Sequence, residues 1–215
     1  MKPGVLGLFA LRGVFEFFGG LFYLVCLKMA MEYNVNQGVS SCMMSVAGLI
    51  LTLMSRFMYG EVLNYPQICG ISAMLIALPF FGIFSTQHLQ GTLSSAGSAS
   101  NMLKIVAPGL ASAFFYAIEA MFIRHLQKKG VTGIDGGFMA IFFNGLYSTS
   151  LLIFILTYTT IPPYEFLIIF AAGICTSLGI VLVNFAVERG EAGVAFSIGN
   201  SFPCWHSIYC TVVIG

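Results

Sequence analysis

A chain of 215 residues of which 58% are hydrophobic and only 8% charged cannot clothe a soluble surface, since ordinary soluble domains carry about 25% charged residues. The formal net charge of +1, with no basic cluster longer than "RHLQKK" at 124–129, excludes a nucleic-acid surface. Segments that are apolar on every side, rather than alternating over stretches of about 10 residues, exclude a β-barrel, and a polytopic α-helical membrane protein remains.

Charge-free stretches run from Tyr33 to Ser55, Val62 to Leu103, Gly136 to Tyr164, Phe166 to Val187 and Ala192 to Gly215, each long enough for a crossing of about 20 residues. Together with the N-terminal segment they predict seven helices, at 5–28, 37–59, 67–86, 104–126, 137–159, 164–187 and 191–215. The opening "MKPGVLGLFALRGVFEFFGG" reads as the first of these rather than as a signal peptide, because Arg12 and Glu16 interrupt its apolar region. Ionisable groups at membrane depth face a cavity, a partner or an interface. Arg12 and Glu16 share a helix face one turn apart, as an intrahelical ion pair or as a cavity-facing contact for substrate. Lys28 closes the first helix, either snorkelling to the interface or lining a substrate path.

The second helix carries Gly48, a backbone-weakening residue, and joins the third through "YGEVLNYPQ", a connection short enough for an antiparallel hairpin. Glu61, followed by Asn64 and Pro66, suits the solvated turn of that hairpin. The tract "STQHLQGTLSSAGSASN" at 85–101 reads as a flexible linker, rich in Gly and Ser. In the fourth helix Glu119 is either a proton-coupling carboxylate or the partner of Arg124, which lies with His125 one to two turns further on. Asn144, Asn184 and Asn200 fall in the fifth, sixth and seventh helices, where amides bond across helix interfaces or contact a solute. Pro162 and Pro163 in "IPPYE" force a tight turn. Pro203 interrupts the seventh helix, and His206 follows it.

The six cysteines lie in apolar segments without a CxxC pair and read as small apolar filler. The 21 Phe and 9 Tyr are either lipid-facing filler or stacking surfaces for a flat solute. No phosphate-binding Gly loop, metal-ligand cluster or Ser/His/Asp set is present, so no enzymatic activity, cofactor or metal is expected. A cytoplasmic N-terminus places Lys2, Arg12, Arg56, Arg124, Lys128, Lys129 and Arg189 at or near the inner face and leaves Lys28 and Lys104 outside, the bias that positive loops favour.

A shift of 155 residues lays "NQGVSSCMMSVAGLILTLMSRFMYG" (36–60) without a gap on "EAGVAFSIGNSFPCWHSIYCTVVIG" (191–215), matching Gly38 to Gly193, Val39 to Val194 and Gly60 to Gly215, with Gly48 meeting Pro203. Five crossings separate the two predicted helices, so they would run in opposite directions, as inverted repeats of transporters do. "GVSSCMMSVAGLILTLMSRFMYGEVLNYPQICGISAMLIALPFFGIF" resembles the fourth and fifth helices of a half of an EamA-like drug/metabolite transporter. "PGLASAFFYAIEAMFIRHLQKKG" resembles the helix that opens the second half, and "ICTSLGIVLVNFAVERGEAGVAFSIGNSFPCW" the eighth helix running into the ninth, with its proline at Pro203.

The resemblance implies ten helices in two inverted halves with cytoplasmic termini. On that pattern residues 1–86 are the last three helices of the first half, 87–103 the linker and 104–215 the first four helices of the second, so about seven of ten helices, a fragment, are expected. The implied function is secondary transport of small organic metabolites by alternating access. The alternative is a truncated or non-transporting membrane protein that packs with other helices. The expected partners are the lipid bilayer and a small-molecule solute, with a homodimer the assembly that an incomplete bundle admits.

Overall fold

The structure, a computed structural model, describes residues 3–33, 37–60, 95–158 and 161–189 and single helical positions at 65, 68, 69, 72 and 76. They form five helices, α1 (Pro3–Glu32), α2 (Gln37–Tyr59), α3 (Ser95–Lys128), α4 (Gly133–Leu156) and α5 (Pro163–Arg189), with no strand among the described residues. Four stretches, Gly4–Glu32, Leu103–Lys128, Gly133–Leu156 and Pro163–Arg189, are long and apolar enough to cross a membrane, whereas the apolar part of α2, Val46–Tyr59, is shorter. The chain is accordingly a helical protein of multi-pass membrane character. Of the helix expected at 67–86 only positions 68, 69, 72 and 76 are described, each helical, whereas the helix expected at 191–215, and with it the second member of the proposed inverted repeat, lies outside the described residues.

The largest departure from the sequence reading is the start of α3. The helix begins at Ser95 and takes in "SAGSASN", which composition assigned to the linker. Serine and alanine cost a helix little and Gly97 about 1 kcal/mol relative to alanine, so a flexible-looking composition does not forbid helix here. α3 also runs through Pro108, which has no N–H to give the preceding turn. The Cys26 thiol of α1 donates to the Ile105 carbonyl in that turn, at 3.2 Å.

The link from α3 to α4 is built from two standard ends. Gly130 N–H donates to Gln127 O and Val131 N–H to Leu126 O, the paired bonds of a Schellman cap, with Gly130 at φ +84°, a conformation that glycine tolerates. Thr132 then caps α4, its hydroxyl oxygen accepting from Asp135 N–H at 3.1 Å. "KKGVTGID" is thus a complete helix stop and start in eight residues.

α3 is the central helix, packed most extensively on α1 and then on α2, while α4 packs on α5 and α1. Leu51 of α2, Ala117, Ala120, Met121 and Ile123 of α3 and Val187 of α5 form one apolar core, and Cys26, Ala30 and Ile105 a second between α1 and α3. Small residues set the closest approaches, since close contact between backbones is what packs helices in lipid. A Cβ at Gly13 would lie 2.8 Å from Phe143 Cβ, and one at Gly137 3.0 Å from Val181 Cα. Leu167, Phe170, Leu178 and Leu182 on α5 point outward, as apolar side chains can where the solvent is lipid.

The described charges separate by end. Lys28 and Lys104 sit at the end of the bundle where Tyr33 meets Lys104, and Lys128 sits over the Tyr59 ring at the other, 3.8 Å from its centroid. Arg124 reaches Val187 O there. Arg12 does not belong with the charges of that face, because its side chain is 1% exposed inside the bundle.

Candidate functional site

Antiparallel packing brings α1 residues and late α3 residues to one depth. Arg12 follows nine residues after the start of α1 and Glu119 precedes the end of α3 by nine, so both lie roughly 13 Å along their helices from the same end of the bundle. There Arg12 Nε donates to Glu119 Oε1 at 2.6 Å. The guanidinium Nη1 donates further to Gly136 O of α4 and to Asn184 Oδ1 of α5, both at 3.0 Å. Asn184 in turn donates to Ile180 O of its own helix.

One turn beyond Arg12, Glu16 Oε1 accepts from Asn144 Nδ2 of α4 at 2.9 Å, and Ser148 Oγ donates to Asn144 Oδ1 at 3.2 Å. Glu16 is 7% and Glu119 4% exposed. Glu16 Oε2 is buried and has no hydrogen-bond partner among the described residues. Tyr116, one turn before Glu119, packs its ring against Gly19 and its hydroxyl toward Gly20.

Five sequence candidates, Arg12, Glu16, Glu119, Asn144 and Asn184, therefore come together from four helices. The pairing differs from the two ion pairs that the sequence suggested, Arg12 with Glu16 and Glu119 with Arg124. Arg12 gives its ion pair to Glu119 rather than to Glu16, and Glu119 is held by Arg12 rather than by Arg124. A spacing of four residues permits a pair, as Lys28 and Glu32 show, but for Arg12 the antiparallel neighbour offers a carboxylate at the same level. Lys28 stands apart, exposed and 3.8 Å from Glu32. Gly48 is buried in α2 and its carbonyl accepts from Thr52 Oγ1 at 2.7 Å. Asn200, Glu61 and Pro203 lie outside the described residues.

Two features escaped the sequence. At the basic end a cleft of about 400 Å³ is lined by Arg124, Gln127, Lys128, Gly130, Val131, Thr132 and Glu188. Glu188 accepts from Gly133 N–H at 2.7 Å, a carboxylate at a helix N-terminus. Beneath it, Gln127, Val131 and Thr132 also line a crevice with no room for water, whose inner wall is Arg12 and Asn184. Gly136, the other missed element, contributes a main-chain carbonyl, and only the run "GIDGG" hinted that a backbone could approach a neighbour there. The aromatic side chains of α1 and α3 mostly serve each other: Phe15 stacks on Phe122 with centroids 5.6 Å apart and Phe22 on Phe115 at 5.5 Å.

The arrangement can hold a charged or zwitterionic solute by exchange of partners, since Arg12 is a fork-shaped donor suited to a carboxylate or phosphate and the carboxylates suit cations. Among the described residues no group of His, Cys, Asp and Glu is arranged to hold a metal ion. Compared with protein-family models, with curated proteins and with solved structures, the chain has no match.

Proposed function

We propose that the protein is a membrane-embedded secondary transporter of small organic metabolites, in which the Arg12–Glu119–Asn184 junction is the solute site and alternating access exposes it in turn to either side. The observation that carries this reading is the convergence of α1, α3, α4 and α5 on one buried charged network. Charged groups are costly in a bilayer interior and mark solute and ion pathways, and a network shared among four helices can be rearranged by moving any of them. The cleft at the basic end, separated from Arg12 by a crevice too narrow for water, fits the inner vestibule of a closed state. The sequence offset of 155 residues, which suggests an inverted repeat, and the EamA-like resemblance support the same reading.

The test is counterflow in proteoliposomes with radiolabelled amino acids, purine nucleosides and nucleotide sugars as probes. Saturable flux of one class, reduced at least about tenfold in the stability-compensated double variant Arg12→Met/Glu119→Met, is expected. No flux of any probe, or flux untouched by that variant, would sink the reading. The outward apolar stripe of α5 favours a second reading, a non-transporting protein that packs with other helices or with a second copy; that reading requires an oligomer in mild detergent, together with an absence of flux.

A further inference from the structure

We propose that Glu16 is a reversible proton-binding site; as the coupling site of a transport cycle it rests on the transport reading above, but proton binding itself does not. The charges in the buried network do not balance. One guanidinium and two carboxylates are buried together, and the guanidinium is spent on Glu119, Gly136 and Asn184. Glu16 is left with a neutral amide on Oε1 and nothing on Oε2 among the described residues. An uncompensated carboxylate in an apolar interior is strongly disfavoured, and a bound ligand that neutralises it is the direct remedy.

The geometry selects the proton as that ligand. A metal cation needs several oxygen ligands around it. The Asn144 amide turns its nitrogen, not its oxygen, to Glu16, and its oxygen is occupied by Ser148. A proton needs only Oε2. The step is a proton transfer alone: the carboxylate gains H⁺ to become the neutral acid, and loses it again with no other bond broken.

The groups facing Glu16 are Arg12 on α1, Glu119 and Tyr116 on α3, and Asn144 on α4. Asn144 and Ser148 follow Glu16 along α4 away from its N-terminal, basic end, whereas Arg12 lies beneath the cleft at that end. Neutralising Glu16 removes one of two negative charges competing for the same guanidinium, which is the physical link between proton and solute.

Infrared difference spectra of the full chain in lipid nanodiscs, acid minus alkaline, test this without any solute. The expected result is a protonated-carboxyl C=O band that is lost in Glu16→Gln and moved in frequency in Asn144→Ala, where the bond to Oε1 is gone. No such band in the wild type, or one that survives Glu16→Gln, overturns the proposal. So does a band that vanishes when Na⁺ replaces choline at constant pH. Should Glu16→Gln fail to fold, the Asn144→Ala spectrum decides, because an unmoved band then belongs to another carboxyl. A band behaving as stated in a protein that moves none of the probes keeps the proton site and removes the transport reading. Flux without the band does the reverse.

Discussion

Arg12 makes three charge-assisted or polar contacts in a region with no room for water, and Glu119 is its only acidic partner at contact distance among the described residues. Removing one member of a buried pair leaves the other uncompensated, whereas replacing both by apolar residues of similar size removes the desolvation cost as well. Arg12→Met is therefore expected to destabilise the protein by about 3–5 kcal/mol. Adding Glu119→Met should recover most of that loss, as read by reversible unfolding in mixed micelles. If the double variant is no more stable than the single, the pair is not the energetic unit that the geometry describes. At this scale the sequence was informative about identity and silent about pairing. Arg12, Glu16, Glu119, Asn144 and Asn184 stand out because each is polar inside an apolar helix, yet Arg12 and Glu119 are 107 positions apart and no local rule joins them.

Helix ends at the α3–α4 link are specified by side-chain chemistry, although the expected bounds, 126 and 137, fall short of Lys128 and Gly133. "KKGVTGID" contains a glycine for the left-handed cap, a threonine N-cap and an aspartate in the first turn of α4, all short-range signals. Thr132→Ala is expected to cost about 1 kcal/mol in the same unfolding measurement, and a cost near zero would mean that Glu188 at Gly133 N–H suffices as the cap. The start of α3 was not legible, because Ser, Ala and Gly permit both linker and helix and the choice there was not made by composition. Contacts between elements depend on residues that look unremarkable in sequence. A Cβ at Gly13 would lie 2.8 Å from Phe143 Cβ, an atom fixed to the α4 backbone, so Gly13→Ala must push the helices apart. A loss of about 1–3 kcal/mol is expected, and unchanged stability would show that α1 and α4 can separate freely.

The whole molecule places Lys28 and Lys128 at opposite ends of the bundle, both exposed. With single cysteines at these positions in a cysteine-free background, an impermeant maleimide added to sealed vesicles should modify one directly and the other only after permeabilisation. Modification of both from one side would rule out the membrane-spanning arrangement. The same experiment assigns the basic end to a side, on which the charge bias of the loops is expected to be cytoplasmic. Arg12 contributes nothing to that bias, being a core residue.

Composition and periodicity by themselves determined the solvent of this protein, its helical class, most of its helix positions and which side chains are anomalous in lipid, because these follow from local burial and backbone satisfaction in an apolar medium. Tertiary structure alone decided that the anomalous residues of four helices meet, that Arg12 serves Glu119 while Glu16 keeps an unbonded oxygen, and that a cleft lies above them. The reason is that antiparallel packing equates depths along distant helices, and depth is a property of the assembled bundle that no single segment carries.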